Sequence, residues 1–235
     1  MRYEMLRPGQ IQDAIARGLP LLMPTGVLEY HGPQNPVGTD ALIAQGLVQR
    51  VEAQVECVVA PTMFYGYTGE WAAGIEQGEI HVGGDGIYGY VKPILSAFFR
   101  QGWQRIYVVC HHQGPTGVTM LSYQRAATEA GMEYALEQNG PGWHAREDLY
   151  PRVFNRIFVV GDSDYATTGF GGHGGKGETD AMLYYYPETV DLGQLGEDLP
   201  RWALDAHEAN AEDAREIGDA LVASWVAELK RVATA

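Results

Sequence analysis

The 235-residue sequence predicts one α/β domain spanning residues 1–235, a three-layer α/β/α sandwich whose mainly parallel sheet is covered by helices on both faces. Two observations carry this expectation. Short apolar runs of strand length alternate with longer segments whose apolar residues recur at helical spacing. No Ser/Gly-rich or Pro-rich tract separates two halves, and no fixed-period repeat is visible.

The elements follow in order. LPLLMPTGVLE (19–29) predicts a first strand and DALIAQGLVQRVEAQ (40–54) a helix. CVVAPTMF (57–64) predicts a second strand, and DGIYGYVKPILSAFFRQG (85–102) a helix interrupted at Pro93. RIYVVCHH (105–112) and TGVTMLSYQRAATEAG (116–131) give a third strand and its helix. RIFVVGD (156–162) predicts another strand, TDAMLYYY (179–186) a helix, and residues 201–232 a long C-terminal helix with an acidic outer face. The glycine-rich stretches YGYTGEWAAG (65–74) and TGFGGHGGKGET (168–179) read as loops around a site. In open parallel sheets, ligands collect beyond the carboxyl ends of the strands.

Composition narrows the partners. A formal charge of -14 argues against nucleic acid and anionic membrane, whose phosphates would be repelled over most of the surface. A small-molecule substrate is the expected partner. The two cysteines, Cys57 and Cys110, sit beside Val-rich runs, lack zinc-motif spacing and read as buried thiols. MRYEMLRPGQ has no signal-peptide pattern and no apolar run is long enough to span a bilayer, so a reducing cytoplasm is expected.

The stretch VLEYHGPQNPVGTD (27–40) carries the chemistry. Side chains two apart in an extended segment share a face, so Glu29 and His31 can reach one point. Asp40 follows where a helix begins; there it serves either as an N-cap or as a third donor. The third strand ends in HHQG, which brings a histidine to the same rim. GGHGGKGETD adds Glu178, in a first helical turn where the helix dipole also favours an acid, with His173 in reserve. Mixed imidazole and carboxylate donors suit Zn²⁺ or Mn²⁺ better than Mg²⁺ or Ca²⁺. Five donors exceed one tetrahedral zinc, whereas two ions roughly 3.5 to 4 Å apart with a bridging carboxylate would use them all. Three carboxylates and one hydroxide then offset two divalent charges, and a water held between the ions ionises near neutral pH.

Competing patterns fail on context. GFGGHG (169–174) fits a dinucleotide-binding loop on paper, but DYATT intervenes between it and the preceding strand, and Lys176 is followed by Gly177 instead of Ser or Thr. Ser96, Ser122, Ser163 and Ser224 lie in no nucleophile elbow, and HEANAED lacks the second histidine of a zincin.

GVLEYHGPQNPVGTDALIA resembles the first signature of the creatininase (creatinine amidohydrolase) family, and GGHGGKGETDAMLYYYPETVDL resembles its second. EIHVGGD (79–85) is similar to a third stretch, and the likeness runs over roughly residues 20–193. The resemblance implies a single α/β domain, two divalent ions, hydrolysis of a carbon–nitrogen bond in a small non-peptide amide, and a hexamer. It places Glu29, His31, Asp40 and His112 on metal-binding positions, with Asp40 bridging, His111 on a glycine position, and Glu178 on the glutamate of the second signature, where it supplies the remaining metal bond if two ions bind. His173 falls on the histidine beside the substrate. Gly114 stands where creatininase proper has a further glutamate ligand, and Gly169 and Phe170 stand where it has a tryptophan and an acid, which points away from creatinine itself.

The expected mechanism has a metal-bridging hydroxide attack a carbonyl while one ion polarises its oxygen and His173 protonates the leaving group, with Glu178 holding metal. Tyr65, Trp71, Gln113 and Phe170 are expected to wall the substrate pocket. Ring opening of a keto-inositol of the 3-dehydro-scyllo-inosose type, or deformylation of a formamide, uses the same polarised carbonyl.

Overall fold

A computed structural model describes residues 1–146 and 156–233. Its centre is a parallel sheet of β1 (Leu21–Thr25), β2 (Val58–Val59), β3 (Ile106–Cys110) and β4 (Ile157–Gly161), in the order β2-β1-β3-β4. Period-two alternation divides the strand residues between two cores. Leu21, Met23, Ile106, Val108 and Cys110 face α3 (Gly84–Gln101) and α4 (Val118–Asn139), with α1 (Pro8–Ala16) at the margin. Leu22, Tyr107 and Val109 face α2 (Thr39–Glu52), α5 (Lys176–Tyr185) and α6 (Ala211–Ala233). The expected three layers are therefore present. Each fully buried Leu or Val contributes about 1.5 to 3 kcal/mol over its exposed state.

Several boundaries depart from the sequence expectation. Pro93 does not interrupt α3; it lies on the exposed face, where the Gly89 carbonyl that loses its amide partner is open to solvent. Gly131 is buried inside α4, which runs on to Asn139. The predicted C-terminal helix is split into a short 3₁₀ turn, Leu204–Glu208, and α6. Asn210 makes the break: its Oδ1 accepts from the amides of Glu212 at 3.1 Å and Asp213 at 2.9 Å, an N-cap. Cys57 and Cys110 are free and buried, as expected. Among the described residues, no helix is long and apolar enough to cross a membrane.

Three parallel strands deliver their carboxyl ends to one rim. β1 leads to Glu29 and His31, β3 to His111 and His112, and β4 to Asp162. The pairing of Thr25 with Cys110 and of Cys110 with Gly161 sets these segments side by side.

Candidate metal centre

Beyond that rim lies a cavity of about 420 Å³, lined by Glu29, Asp40, His111, His112, His173 and Glu178 among others. Asp40 enters from the first turn of α2, and Glu178 from the first turn of α5. Gln34 and Asn35 tie the two loops together. The Gln34 amide donates to the Gly174 carbonyl at 2.8 Å and the Asn35 amide donates to Thr179 Oγ1 at 3.1 Å.

Two sets of donors share one residue. In each of Glu29, Asp40, His112 and His31, Asp40, Glu178, one ligand atom per residue lies within 4.8 Å of the others, and Asp40 belongs to both. His31 Nε2 is 3.1 Å from Asp40 Oδ1, and His112 Nδ1 is 2.8 Å from Asp40 Oδ2. Glu29, His31 and His173 form a further close group.

Main-chain carbonyls orient three imidazoles. His112 Nε2 donates to Tyr67 O at 2.8 Å, which leaves Nδ1 toward the acids. His31 Nδ1 donates to Glu29 O at 2.9 Å, which leaves Nε2 toward Asp40 and Glu178. His173 Nε2 donates to Tyr30 O at 2.9 Å, which leaves Nδ1 3.6 Å from Glu29 Oε2. One nitrogen bonded to a carbonyl and the other aimed at a common point is the arrangement that metal-binding histidines adopt.

The carboxylates are consistent with a cation. Both oxygens of Glu29 are buried without a hydrogen-bond partner, a costly state for a charged group. Burial, and then the neighbouring Asp40, pushes the Glu29 carboxyl up to about 7. Burial alone would raise Asp40 and lower His31, but their attraction prevails: Asp40 is held below the usual carboxylate range, and Asp40 and Glu178 hold His31 up to about 10. Without a cation, the crowding of buried acids thus favours the protonated forms of Glu29 and His31. The donor set of imidazole nitrogens and carboxylate oxygens fits divalent zinc or manganese.

The remaining predicted site residues divide. Trp71 lines the cavity, its ring 4.6 Å from that of His173, with Trp202 4.6 Å away from His173 on another side. Gln113 also lines it, at a positive φ of 59°. Phe170 reaches the cavity but is 4% exposed and packs on Tyr184 and Tyr185, so most of its ring serves the core. Tyr65 is a correction. It lines a separate, mostly apolar cavity of about 640 Å³ beside α3, because the chain after β2 runs along β1 and turns this side chain to the α3 face. Gly114 brings no side chain to the cavity it lines.

Three contributors escaped the sequence reading. Asp162 follows β4 and lies 2.9 Å from His111 Nδ1; its position at a strand end is the same signal that marked HHQG. Buried Glu79 accepts from the amides of Tyr30 at 3.3 Å and Ala73 at 3.0 Å, fastening the Trp71 loop to the rim. Trp202 lay in a segment read as helix, and nothing in its neighbourhood signals the site.

An α/β sandwich that gathers buried imidazoles and acids at the carboxyl rim of its sheet belongs among enzymes that bind substrate there. A family model described as creatinine amidohydrolase matches residues 4–229, and the chain belongs to the creatininase family. It is 26% identical over 186 residues to creatinine amidohydrolase of Pseudomonas putida, covering 77% of this chain and 69% of that protein. A shorter stretch of 103 residues is 23% identical to 3-dehydro-scyllo-inosose hydrolase of Thermotoga maritima, covering 44% of this chain and 33% of that one. Among solved structures, a manganese creatininase superposes with a TM-score of 0.77 at 21% identity, over 98% of this chain and 97% of that one. A mutant creatininase of Zn-Zn type gives 0.77 at 20% identity, over 98% and 97%. These structures share the fold, and family membership supports an amidohydrolase or hydrolase activity.

Proposed function

We propose that this chain is a hydrolase with two divalent metal ions, acting on a carbonyl of a small cyclic non-peptide substrate and cleaving an amide carbon–nitrogen bond. The observation that carries the reading is the doubled donor set around Asp40, with buried acid oxygens that no hydrogen bond satisfies. Glu29, Asp40 and His112 would hold one ion; His31, Asp40 and Glu178 the other. Zinc or manganese at these positions would supply Lewis acidity toward a carbonyl oxygen and would make a water nucleophilic near neutral pH.

The protein's own groups do the rest. His173 has its Nε2–H committed to Tyr30 O, so only Nδ1, on the cavity side, can exchange a proton with a leaving group. Burial and then the adjacent His31 lower its pKa, which favours a ring that readily gives its proton up. Trp71 and Trp202 flank the His173 ring and shield it from water. Trp71 and Gln113 on the cavity wall offer one apolar face and one amide to the substrate.

A second reading, ring opening of a cyclic keto-inositol, rests on the partial likeness to the inosose hydrolase and on the polar Gln113 beside side-chain-free Gly114. The test is incubation of metal-loaded protein with cyclic amides, formamides and keto-inositols, followed by mass spectrometry. Gain of one water on a cyclic amide supports the main reading. The same gain on the keto-inositol alone supports the second, and formate release alone would replace both with deformylation. No metal-dependent turnover of any of the three would refute the hydrolase proposal for these substrates.

A further inference from the structure

His111 and Asp162 line the cavity, are buried, and fall outside the donor groups above. His111 follows β3 and Asp162 follows β4, and the parallel pairing continues past the strands: His111 N donates to Thr25 O at 3.2 Å and Asp162 N to Cys110 O at 3.1 Å. The Asp162 carbonyl is fixed in turn by Trp225 Nε1–H of α6, at 2.6 Å. Both residues therefore sit on rigid backbone.

The imidazole stands between two carboxylates. Its Nδ1 is 2.9 Å from Asp162 Oδ2 and its Nε2 is 3.4 Å from Glu178 Oε1. The other oxygen of Glu178, Oε2, accepts from the Gly174 amide at 2.6 Å and lies 3.4 Å from His31 Nε2. The two oxygens of one carboxylate thus face different partners. One faces the donors His31 and Asp40, and the other faces His111.

We propose that His111 is a positioning residue: anchored by Asp162, it holds Glu178 Oε1 so that Oε2 is presented to the ion that Glu178 shares with His31 and Asp40. The inference rests on the two-ion reading above. A glutamate side chain has several free torsions, and fixing its non-ligating oxygen in advance removes ordering entropy from the binding step. His111 also separates Asp162 from Glu178, two acids that would otherwise face one another across the cavity wall. The ion held by Glu29, Asp40 and His112 does not involve Glu178, so the effect is confined to one of the two ions.

The experiment titrates the full-length, metal-stripped chain with Zn²⁺ against a chromogenic chelator, and with Co²⁺ followed by visible absorption. Wild type is expected to take two ions. His111→Ala keeps the Glu29, Asp40 and His112 ion and binds the other roughly 10- to 100-fold more weakly. His111→Gln, whose amide can still donate to Glu178, recovers much of that loss, and Asp162→Asn falls between the two. Unchanged second-ion affinity in His111→Ala, an equal loss of both ions, or no recovery in His111→Gln overturns the proposal. If His111→Ala does not fold, Asp162→Asn carries the test, and unchanged affinity there overturns it. A wild type that takes fewer than two ions overturns the two-ion reading itself and the proposal with it, a result distinct from the others.

Discussion

Gly26 and Ala41 meet backbone to backbone: a Cβ placed on Gly26 would lie 2.2 Å from the Ala41 nitrogen and 2.5 Å from the Asp40 carbonyl carbon. The residue that follows β1 therefore sets how closely the first turn of α2 approaches the rim. Gly26→Ala should push that turn, and Asp40 with it, away from the strand ends. The expected cost is about 1 to 3 kcal/mol in urea unfolding of the metal-free chain, together with weaker binding of both ions. A variant with unchanged stability and unchanged metal affinity would contradict the close fit.

Asp40 is the shared donor, so Asp40→Ala should empty both positions at once. Elemental analysis of protein purified without chelator is expected to fall from two metal ions per chain to none, with turnover reduced by more than the roughly 100-fold that outer-shell changes produce. Glu29→Ala should spare the ion of His31 and Glu178 better than Asp40→Ala does. A metal-replete, active Asp40→Ala protein would rule out the shared role.

Protons and cations compete for this cluster. Glu29 is raised to about 7, mainly by burial, and His31 to about 10, where Asp40 and Glu178 outweigh the opposing effect of burial. Metal binding must displace these protons, so affinity should strengthen as pH rises from about 6 to about 9, with proton release measurable by calorimetry in buffers of different ionisation enthalpy. Both folded values lie above the ordinary ones of 4.5 and 6.5, so the stability each group lends the metal-free chain is full below its ordinary value. It is lost as pH rises through about 7 for Glu29 and about 10 for His31. Chelated protein should therefore melt at a lower temperature at about pH 9 than at about pH 6, and added metal should raise the melting temperature most at the alkaline end.

Trp71 is 54% exposed, yet its ring lies against His173. Trp71→Ala should change stability by no more than about 0.5 kcal/mol, the usual range for a surface change. With a substrate in hand, KM is expected to rise several-fold and kcat to fall less. An unfolded variant, or one with unchanged KM, would remove Trp71 from the substrate wall.

The donors were legible because their signals are local. Glu29 and His31 share a face by strand geometry, Asp40 and Glu178 open helices, and HHQG closes an apolar strand. What depends on packing between distant segments was not legible. The side on which Tyr65 lands follows from how residues 60–66 run along β1, and the burial of Phe170 follows from the placement of α5. Likewise α1 has only a short apolar stripe, and β2 is two residues long although the run 57–64 reads as a full strand. His111 was set on a glycine position by resemblance, which hid its contact with Asp162 and Glu178.

Three imidazoles of the rim hang on the carbonyls of Glu29, Tyr30 and Tyr67. Main-chain anchors of this kind persist when the occupant leaves, so the chelated enzyme should keep its shape and reload without refolding. Under the two-ion proposal, a socket of imidazole nitrogens and carboxylate oxygens would accept zinc or manganese, with zinc bound more tightly and the supply of each ion then weighing in what is loaded.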